Sequence, residues 1–457
     1  MGIGVASLAL QGYAGTPARS ADKPNIIFII VDDMGWADLG CYGSRQIKTP
    51  NIDKMASEGM RFTQAYSGCT VCAPARSVLM TGLHMGHTPV RGNTGGIPIG
   101  RHDVTVAQVL KKVGYATGGF GKWGLGDVGT TGVPEKKGFD EFFGYYHQVH
   151  AHNYWTEYLW RNSRKVPMTG EKASEQRYTH NRIFEQTLKF IRKNKNKPFF
   201  CYAPWTPPHG QYQIPDSDPA WQMYKDKPWP KNARVAAAMD SMLDRNMGEL
   251  MDLLKELMID KRTIVFFCSD NGAAERFEGI LDSSGPLRGY KRSMYEGGIR
   301  VPMIVRWPGK IKPGTISEHV WYFADVMPTL AELAGASDYL PEKVDGLSVV
   351  PTLTGHRNRQ KKHEFMYWEW HRYNWSQNKN VPHGLMQAVR MGKWKAVRHA
   401  SNVPFELYDL STDIGEKNDI SAEHPEIIAK IEAYIKTDRI EPSEQVEPQK
   451  PQGKRFM

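Results

Sequence analysis

The stretch "NIIFIIVDD", residues 25–33, gives the clearest indication of the fold. Its apolar residues form a continuous run, and most of them are β-branched. Such a run is typical of a strand that is buried on both faces, as in a parallel sheet. Asp32 and Asp33 end the run. We therefore predict a buried, parallel strand with two carboxylates at its carboxyl end.

Strands and helices alternate along most of the chain. Strand-like segments lie at residues 115–126, 198–209, 263–272 and 301–309. Helical patterns lie at residues 49–60, 72–82, 104–115, 177–194, 233–258 and 323–335. This alternation favours a mostly parallel sheet that helices cover on both faces. The predicted fold class is therefore α/β.

The sequence changes character after about residue 355. Residues 363–375, 385–399 and 405–413 have the pattern of antiparallel strands, and residues 424–438 that of an amphipathic helix. The predicted organisation is a leader (1–20), a large α/β domain (21–355), a small C-terminal α+β subdomain with an antiparallel sheet (356–440) and a polar tail (441–457).

Composition and charge exclude several classes of protein. The chain has 457 residues and a net charge of +10, which favours anionic partners. It has no zinc-finger spacing and no block of lysine and arginine, so we expect no binding of nucleic acid. Five cysteines are too few for a disulfide framework, and no apolar run reaches the length of about 18 residues that a membrane span needs. Residues 1–20 look like the remnant of an export signal, which predicts a periplasmic or secreted protein.

Polar side chains follow two of the predicted strands. Asp32 and Asp33 end the first, and Asp270 and Asn271 end the strand at 263–272. The carboxyl ends of parallel strands meet at one edge of a sheet, where α/β proteins bind their ligands. Clustered carboxylates repel one another unless a cation binds them, and oxygen ligands suit Ca²⁺ or Mg²⁺. The alternative is that these residues only form turns, since Asp-Asn-Gly is also a turn sequence.

The segment "SGCTVCAPARSVLMTG", residues 67–82, allows several interpretations of Cys72. It could be a buried thiol, which is the commonest state of a free cysteine. It could form a redox pair with Cys69, because the two have C-x-x-C spacing. It could also be a thiolate nucleophile with Arg76 as the anion-binding group, although phosphatase loops of that kind separate the two residues further.

A fourth interpretation rests on a resemblance. The residues Cys72-Ala73-Pro74-Ala75-Arg76, followed by Thr81-Gly82, resemble the signature of the sulfatase family, in which the cysteine is oxidised to formylglycine, an aldehyde. Other segments are similar to sulfatase segments and occur in the family's order: "PNIIFIIVDDMGWADLGCYG", "TPNIDKMASEGMRFTQAY", "GYATGGFGKWGLG", "SDNG", "LRGYKRSMYEGGIRVP" and "ELYDLSTDIGEKNDI". The resemblance covers nearly the whole chain from about residue 24 and implies an arylsulfatase-like enzyme with an alkaline-phosphatase-like fold.

The resemblance also implies a mechanism. A hydrated aldehyde carries two hydroxyls on one carbon; one attacks the sulfur of a sulfate ester, and the other then loses its proton so that sulfate leaves and the aldehyde is restored. Serine could perform only the first of these steps. A divalent cation, usually Ca²⁺ with Mg²⁺ possible, lowers the pKa of a bound hydroxyl. Maturation requires a formylglycine-generating enzyme as a partner.

Site residues follow from the resemblance, position by position. The metal ligands are expected to be Asp32, Asp33, Asp270, Asn271 and the modified Cys72. Arg76 is expected to hold the modified side chain, and Lys122, Lys291 and His209 to bind sulfate. His209 is also expected to help protonate the leaving group. Pro74 near the first turn suggests that Cys72 lies at a helix N-terminus, where an anion is favoured.

One position departs from the family pattern. Many members read G-K-W-H-L-G, and that histidine is the usual candidate for taking the second hydroxyl's proton, but this chain has Gly124 there. The stretch "YYHQVHAHNYW", residues 145–155, offers substitutes, and His150 is our preferred one. On a strand, His150 and His152 would point the same way. The further candidates are His147 and His152 in the same stretch, and His84 and His87 after residue 82; the alternatives are a histidine that packs in the core or contacts a sugar, and a zinc site.

Aromatic residues bear on the substrate. "HAHNYWTEYLW" (150–160) and "YWEWHRYNW" (367–375) could stack on sugar rings, or they could simply pack in the core. The leading hypothesis is hydrolysis of a sulfated carbohydrate, or of a small sulfate ester. Two alternatives remain open: a phosphate or phosphonate ester hydrolase on the same scaffold, and a binding protein for sulfated glycans that has lost catalysis.

Overall fold

The computed structural model describes residues 23–94, 97–171, 174–275, 277–374, 376–377 and 379–442. The leader at 1–20 and nearly all of the tail at 441–457 lie outside these ranges, so both stay predictions.

A large sheet of eleven strands forms the centre of the molecule. Its main path runs in the order β10-β2-β9-β8-β1-β7-β3-β4-β5-β6, and β11 pairs with β2. The strands are β1 (Asn25–Asp32), β2 (Met60–Tyr66), β3 (Ala116–Lys122), β4 (Glu141–Tyr145), β5 (Tyr158–Arg161), β6 (Arg164–Pro167), β7 (Phe199–Pro208), β8 (Thr263–Ser269), β9 (Arg300–Arg306), β10 (Thr315–Ser317) and β11 (Trp321–Tyr322).

The predicted first strand lies at the centre of this sheet. β1 pairs in parallel with β7 on one side and with β8 on the other. All eight of its residues are buried, and the six apolar ones, residues 26–31, alternate between two hydrophobic clusters, one on each face of the sheet. Burial on both faces explains why the run shows no alternation of apolar and polar residues. The prediction of a buried, parallel strand is confirmed.

Helices cover both faces. They are α1 (Pro50–Ser57), α2 (Cys72–Thr81), α3 (Val106–Lys112), α4 (Thr179–Asn194), α5 (Pro219–Tyr224), α6 (Lys231–Glu256), α7 (Glu296–Ile299), α8 (Val326–Ala334), α9 (Val350–Leu353) and α10 (Pro425–Asp438). Apolar residues of α1, α4 and α6 pack on one face of the sheet, and those of α2, α3 and α8 on the other. No helix of the described ranges combines the length and the apolarity that crossing a membrane requires.

The C-terminal region adds a second sheet. Its four antiparallel strands, in the order β12-β13-β14-β15, are β12 (Met366–Asn374), β13 (Lys379–Met391), β14 (Trp394–Arg398) and β15 (Glu406–Asp409). The predicted combination of a mostly parallel α/β sheet and a small antiparallel sheet is therefore confirmed. One hydrophobic cluster contains side chains of both sheets, including Phe62, Tyr66, Trp368 and Val389.

A buried group of charges joins the two sheets, and we call it the interface cluster: Glu296, Arg300, Arg390, Lys395, Glu416 and the hydroxyl of Tyr66. Lys395 Nζ contacts Glu296 Oε1 at 2.9 Å and Glu416 Oε1 at 3.3 Å. The second oxygen of Glu296 accepts from Tyr66 and Arg300, and that of Glu416 accepts from the backbone N–H of Glu296. Every carboxylate oxygen of this cluster thus has a donor.

The strand pattern of the large sheet differs from the sequence-based expectation in two ways. Six strands are additional: β2, β4, β5, β6, β10 and β11. β9 runs antiparallel to both of its neighbours, β2 and β8, so the sheet is mixed toward that edge. The additional strands are short or partly exposed, which weakens the apolar pattern on which a prediction depends.

Candidate active site

Two neighbouring strands bring the predicted acids together. Val31 of β1 is level with Ser269 of β8, so Asp32 and Asp33 emerge beside Asp270 and Asn271. The Asp33 backbone N–H donates to Asp270 Oδ1 at 3.3 Å. Asp33 has a φ of 68°, a conformation that aspartate tolerates better than most residues and that is frequent at functional sites. The carboxyl edge of the sheet therefore carries a compact group of oxygen atoms.

Asn271 leaves one of these oxygens available. Its Nδ2 donates to Asp33 Oδ1 at 2.6 Å and to the carbonyl oxygen of Gly272. Its Oδ1 is buried and finds no hydrogen-bond donor among the residues that the structure describes. A buried carbonyl oxygen without a donor, surrounded by carboxylates, is the environment that a hard cation requires. The residues present thus fit a divalent cation.

Cys72 lies at the edge of this group. It is the first residue of α2, as expected, and its side chain is buried. Cys72 Sγ is 3.1 Å from Asp32 Oδ1 and 3.5 Å from Lys291 Nζ. All five cysteines of the chain are free thiols, so the structure contains no Cys69–Cys72 disulfide. Burial and the carboxylates of Asp270 and Asp32 raise the pKa of the Cys72 thiol, which disfavours the thiolate in this arrangement.

Arg76 is one helical turn after Cys72, on the same face of α2. Its Nε and Nη2 donate to Asp270 Oδ2 at 3.1 and 2.8 Å, and Nη1 donates to the carbonyl oxygen of Lys122 at 2.6 Å. Arg76 is fully buried, so its guanidinium group holds both Asp270 and the end of β3 in place.

The two predicted lysines enter from opposite sides. Lys122, at the end of β3, contacts Asp32 Oδ2 at 2.5 Å. Lys291 contacts both oxygens of Asp33, at 2.6 and 2.7 Å. Burial lowers the pKa of each lysine, but the negative groups around it, led by Asp32 for Lys122 and by Asp33 for Lys291, together outweigh burial and raise the pKa, so both are charged.

His209 completes the group at the end of β7. Its Nε2 is 3.4 Å from Asp33 Oδ2. Burial and the nearby Lys291 charge hold the pKa of His209 well below its usual value. The ring of His152 stacks on it, with centroids 4.2 Å apart and 16° between planes. Burial and His209 lower the pKa of His152 to about 2, so this imidazole is neutral.

His150, our preferred substitute base, has its contacts with residues outside this group. Residues His150–His152 form a turn of 3₁₀ helix rather than a strand, so the two histidines diverge. His150 Nε2 contacts Thr156 Oγ1 at 2.7 Å, and its ring packs against Tyr145 and Tyr158. The interactions that the structure shows for His150 are therefore those of a packing residue.

The remaining candidate histidines also have other neighbours. His147 is 4.0 Å from the Asp127 carboxylate. His84 and His87 contact Asp345 and Asp438, where the end of α10 meets the loop after α2.

Two residues near position 72 escaped the sequence analysis. Asn93 Oδ1 accepts from the backbone N–H of Ala73 at 3.1 Å and from Gln148 Nε2 at 2.8 Å. Gln148 is buried beside Gly124, where an added Cβ would lie 3.2 Å from its amide group. Neither residue belongs to a motif, and the only signal was the missing histidine at position 124.

Charge balance shows what this arrangement can bind. The three carboxylates Asp32, Asp33 and Asp270 face the three cations Arg76, Lys122 and Lys291, all of them buried. A divalent cation bound to these carboxylates and to Asn271 Oδ1 would leave the site with excess positive charge beside Cys72. Such a site is complementary to a small anionic group that reacts at the start of α2, where the helix dipole adds to the attraction.

Comparison with known proteins agrees with this geometry. The family model described as "Sulfatase" matches residues 24–336, and the one described as "N-sulphoglucosamine sulphohydrolase, C-terminal" matches residues 289–441. The structure of Ps i-CgsB in complex with k-i-k-neocarrahexaose superimposes with a TM-score of 0.79 at 28% identity, over 93% of this chain and 95% of that one.

Curated relatives give the same result. The N-acetylgalactosamine-6-sulfatase of Canis lupus familiaris is 32% identical over 388 residues, which cover 77% of this chain and 69% of that protein. Arylsulfatase A of Homo sapiens is 32% identical over 463 residues, with 90% and 85% coverage. The chain belongs to the sulfatase family, and it is an enzyme of that family.

Proposed function

We propose that this enzyme releases sulfate from a sulfated carbohydrate, with formylglycine formed from Cys72 and a divalent cation held at the sheet edge. The observation that carries the proposal is the position of Cys72 Sγ, 3.1 Å from Asp32 and 3.5 Å from Lys291 at the start of α2. A side chain at position 72 therefore lies between the carboxylate of Asp32 and Lys291, one of the two lysines that we propose bind sulfate.

The residues that would hold the cation are Asp32, Asp33, Asp270, Asn271 and the oxygen that replaces Cys72 Sγ. When bound, the cation would lower the pKa of a hydroxyl at position 72 and polarise the sulfate ester. Cysteine conversion requires an external oxidant and a formylglycine-generating enzyme.

The chain's own residues supply binding and orientation. Lys122 and Lys291 would neutralise the sulfonyl oxygens, and both are buried, where electrostatic interactions are strong. Arg76 holds Asp270 and the end of β3 in register with α2. His209, whose Nε2 is 3.4 Å from Asp33 Oδ2, would contact sulfate and the leaving oxygen.

We assign the role of the substitute base to His152 rather than to His150. His152 stacks on His209, whereas the contacts of His150 are with Thr156 and two tyrosines. The imidazole of His152 is neutral and has a nitrogen lone pair for a proton; its lowered pKa makes it a weak base, so the assignment rests on its position against His209. We expect His152→Ala to lower kcat about 100-fold and His150→Ala about twofold, because general-base catalysis contributes about 10²–10⁴-fold. Equal effects would contradict the assignment.

The carbohydrate substrate is supported by the relatives and by the net charge of +10. One of these relatives is named N-acetylgalactosamine-6-sulfatase, and one structural neighbour is described as a complex with k-i-k-neocarrahexaose. A periplasmic or secreted location stays a prediction from the leader.

The decisive experiment is mass spectrometry of the peptide that contains position 72, on protein made together with the maturing enzyme, followed by a screen for released sulfate. We expect formylglycine at position 72 and turnover of a sulfated saccharide above 4-nitrophenyl phosphate and a phenylphosphonate ester. Faster turnover of the phosphorus esters would favour the phosphohydrolase alternative. Tight binding of the saccharide without sulfate release would favour the binding-protein alternative. A known sulfatase expressed alongside controls for maturation.

A further inference from the structure

The space beside Gly124 contains the side chain of Gln148. Gly124 has a φ of 80°, which favours glycine, and a Cβ there would lie 3.2 Å from both Cδ and Nε2 of Gln148. The backbone and the neighbouring amide thus both oppose a larger residue at position 124. The missing histidine is accordingly not a simple substitution, because another side chain has taken its place.

A hydrogen-bond chain ties Gln148 to the nucleophile helix. The backbone N–H of Ala73 donates to Asn93 Oδ1 at 3.1 Å, and Gln148 Nε2 donates to the same oxygen at 2.8 Å. Because both donors share one oxygen, the Gln148 amide lies beside the first turn of α2, next to position 72. Asn93 therefore acts as a bridge between the two.

This chain also fixes which way the Gln148 amide faces. A backbone N–H can only donate, so the Asn93 atom that meets Ala73 is the oxygen, and Gln148 must present its NH₂ group to it. Gln148 Oε1 faces the space beside Gly124, where an added Cβ would lie 3.4 Å from it. Gln148 is only 3% exposed, and its Oε1 has no donor within the described part of the chain. A buried carbonyl oxygen without a donor costs free energy, so we expect a donor that the chain with an unmodified Cys72 does not supply.

We propose that Gln148 Oε1 accepts a hydrogen bond from one hydroxyl of the hydrated aldehyde at position 72. This inference rests on the proposed function. Water adds across the aldehyde C=O, and the carbon then carries two hydroxyls. An amide oxygen accepts a hydrogen bond but does not retain the proton, so Gln148 orients the hydroxyl and stabilises the hydrate, while His152 takes the proton. The family's single histidine is thereby replaced by two side chains with divided roles.

The test compares matured wild-type enzyme with Gln148→Met, which keeps the length of the side chain and removes the acceptor. Hydroxylamine reacts with the free aldehyde but not with the hydrate, so its rate of reaction at position 72, followed by peptide mass spectrometry, reports the hydrate fraction. We expect a rise of about fivefold in Gln148→Met, the factor that corresponds to one lost hydrogen bond. We also expect a fall in kcat of at least that factor with 4-nitrophenyl sulfate, a substrate without sugar hydroxyls.

Controls separate this role from packing. Gln186→Met makes the same change at a buried glutamine whose oxygen accepts from Arg161, and both readouts should stay unchanged. If Gln148→Met does not fold, Gln148→Asn, which withdraws the amide by one methylene, should show the same rise.

An unchanged hydroxylamine rate in folded Gln148→Met would overturn the inference, and so would a kcat loss confined to sugar substrates, which would make the donor a sugar hydroxyl. An unmodified thiol at position 72 of active wild-type enzyme would instead overturn the proposed function, so the two failures are distinguishable.

Discussion

Two buried groups of charges in this molecule look alike but differ in what they leave open. The active-site cluster, which comprises Asp32, Asp33, Asp270, Arg76, Lys122 and Lys291, and the interface cluster both place lysine and arginine against carboxylates away from water. In the interface cluster every carboxylate oxygen has a donor within the protein. The carboxylate oxygens of the active-site cluster have donors too, but the neighbouring Asn271 Oδ1 has none among the described residues, and Cys72 lies alongside.

The difference shows that charge and burial alone do not identify a functional site. A structural cluster uses its polar atoms on one another, and its contribution is to stability. A catalytic cluster holds its groups in place yet keeps atoms free for a ligand, which lowers stability in exchange for chemistry. The predictions below test this distinction, beginning with the largest expected effect.

Replacement of Cys72 should have the largest effect on activity and a small effect on folding. In Cys72→Ala we expect turnover to fall by about a thousandfold or more, because the nucleophile is lost. The thiol makes only weak contacts, so the melting temperature should change little. Initial rates of sulfate release and a thermal melt check this; turnover at the wild-type level would remove Cys72 from the mechanism.

The same substitution in each cluster gives the sharpest comparison. Lys122→Met and Lys395→Met each remove a fully buried ammonium from its carboxylates, and each should destabilise the fold by about 3–5 kcal/mol. Only Lys122→Met should lower the activity of folded enzyme, by about 100-fold. The folded fraction of each preparation is measured first, and the activity is then expressed per folded molecule. An equal loss of activity in both variants would erase the distinction between the clusters.

Removal of Asp270 should affect stability, cation binding and activity together. Asp270→Ala leaves buried Arg76 without its bidentate partner and removes a proposed ligand, so we expect less bound metal and about 100-fold lower activity. Asp260→Ala is the matched control, because it also removes a carboxylate from an arginine, Arg306. It should keep both metal and activity. Metal content is measured by elemental mass spectrometry; full activity of Asp270→Ala in the presence of a chelator would contradict a role for the cation.

The smallest effect concerns the pH dependence of stability in the interface cluster. Burial outweighs the nearby Lys395 and raises the pKa of Glu416 from 4.5 to about 7. The folded state therefore binds this proton more tightly than the unfolded chain does. The stability that this contributes is fully present below the unfolded pKa and is lost as the pH rises through about 7.

Glu416→Gln removes this titration. Relative to the wild type, the variant should gain stability between about pH 5 and about pH 8, measured as the difference between melting temperatures at the two values. Enzyme activity serves as the control and should not change at either pH. A difference that is constant with pH would mean that Glu416 is ionised in the folded state throughout this range.

The sequence allowed most of the fold to be predicted because β1, β7 and β8 are mostly apolar, and because stripes of apolar residues mark α4 and α6. The acids at the ends of β1 and β8 could be placed at one sheet edge by the rules of parallel sheets. The roles of the lysines and of His209 came from the family resemblance and stay proposals.

Other features could not be predicted from sequence. Asn93 and Gln148 lie in loops and His152 in a short 3₁₀ turn, all without periodicity, and only the folded chain shows that Gln148 meets Asn93 and that His152 stacks on His209. The segments that contain Glu296 and Glu416 both resemble sulfatase segments. A resemblance does not show which side chains meet, so the interface cluster cannot be predicted from it. His150 was preferred on the assumption of a strand, and the 3₁₀ turn turned it toward Tyr145 and Tyr158.

The hydrophobic cluster that passes from the large sheet into the four-stranded one has a consequence for protein engineering. A fragment trimmed to the boundaries of the matched family domain, 24–336, would retain Phe62 and Tyr66 but lose Trp368 and Val389, which pack in the same cluster. The uncovered apolar surface would face water and promote aggregation. Shortened versions of this enzyme should therefore keep the chain through the end of α10.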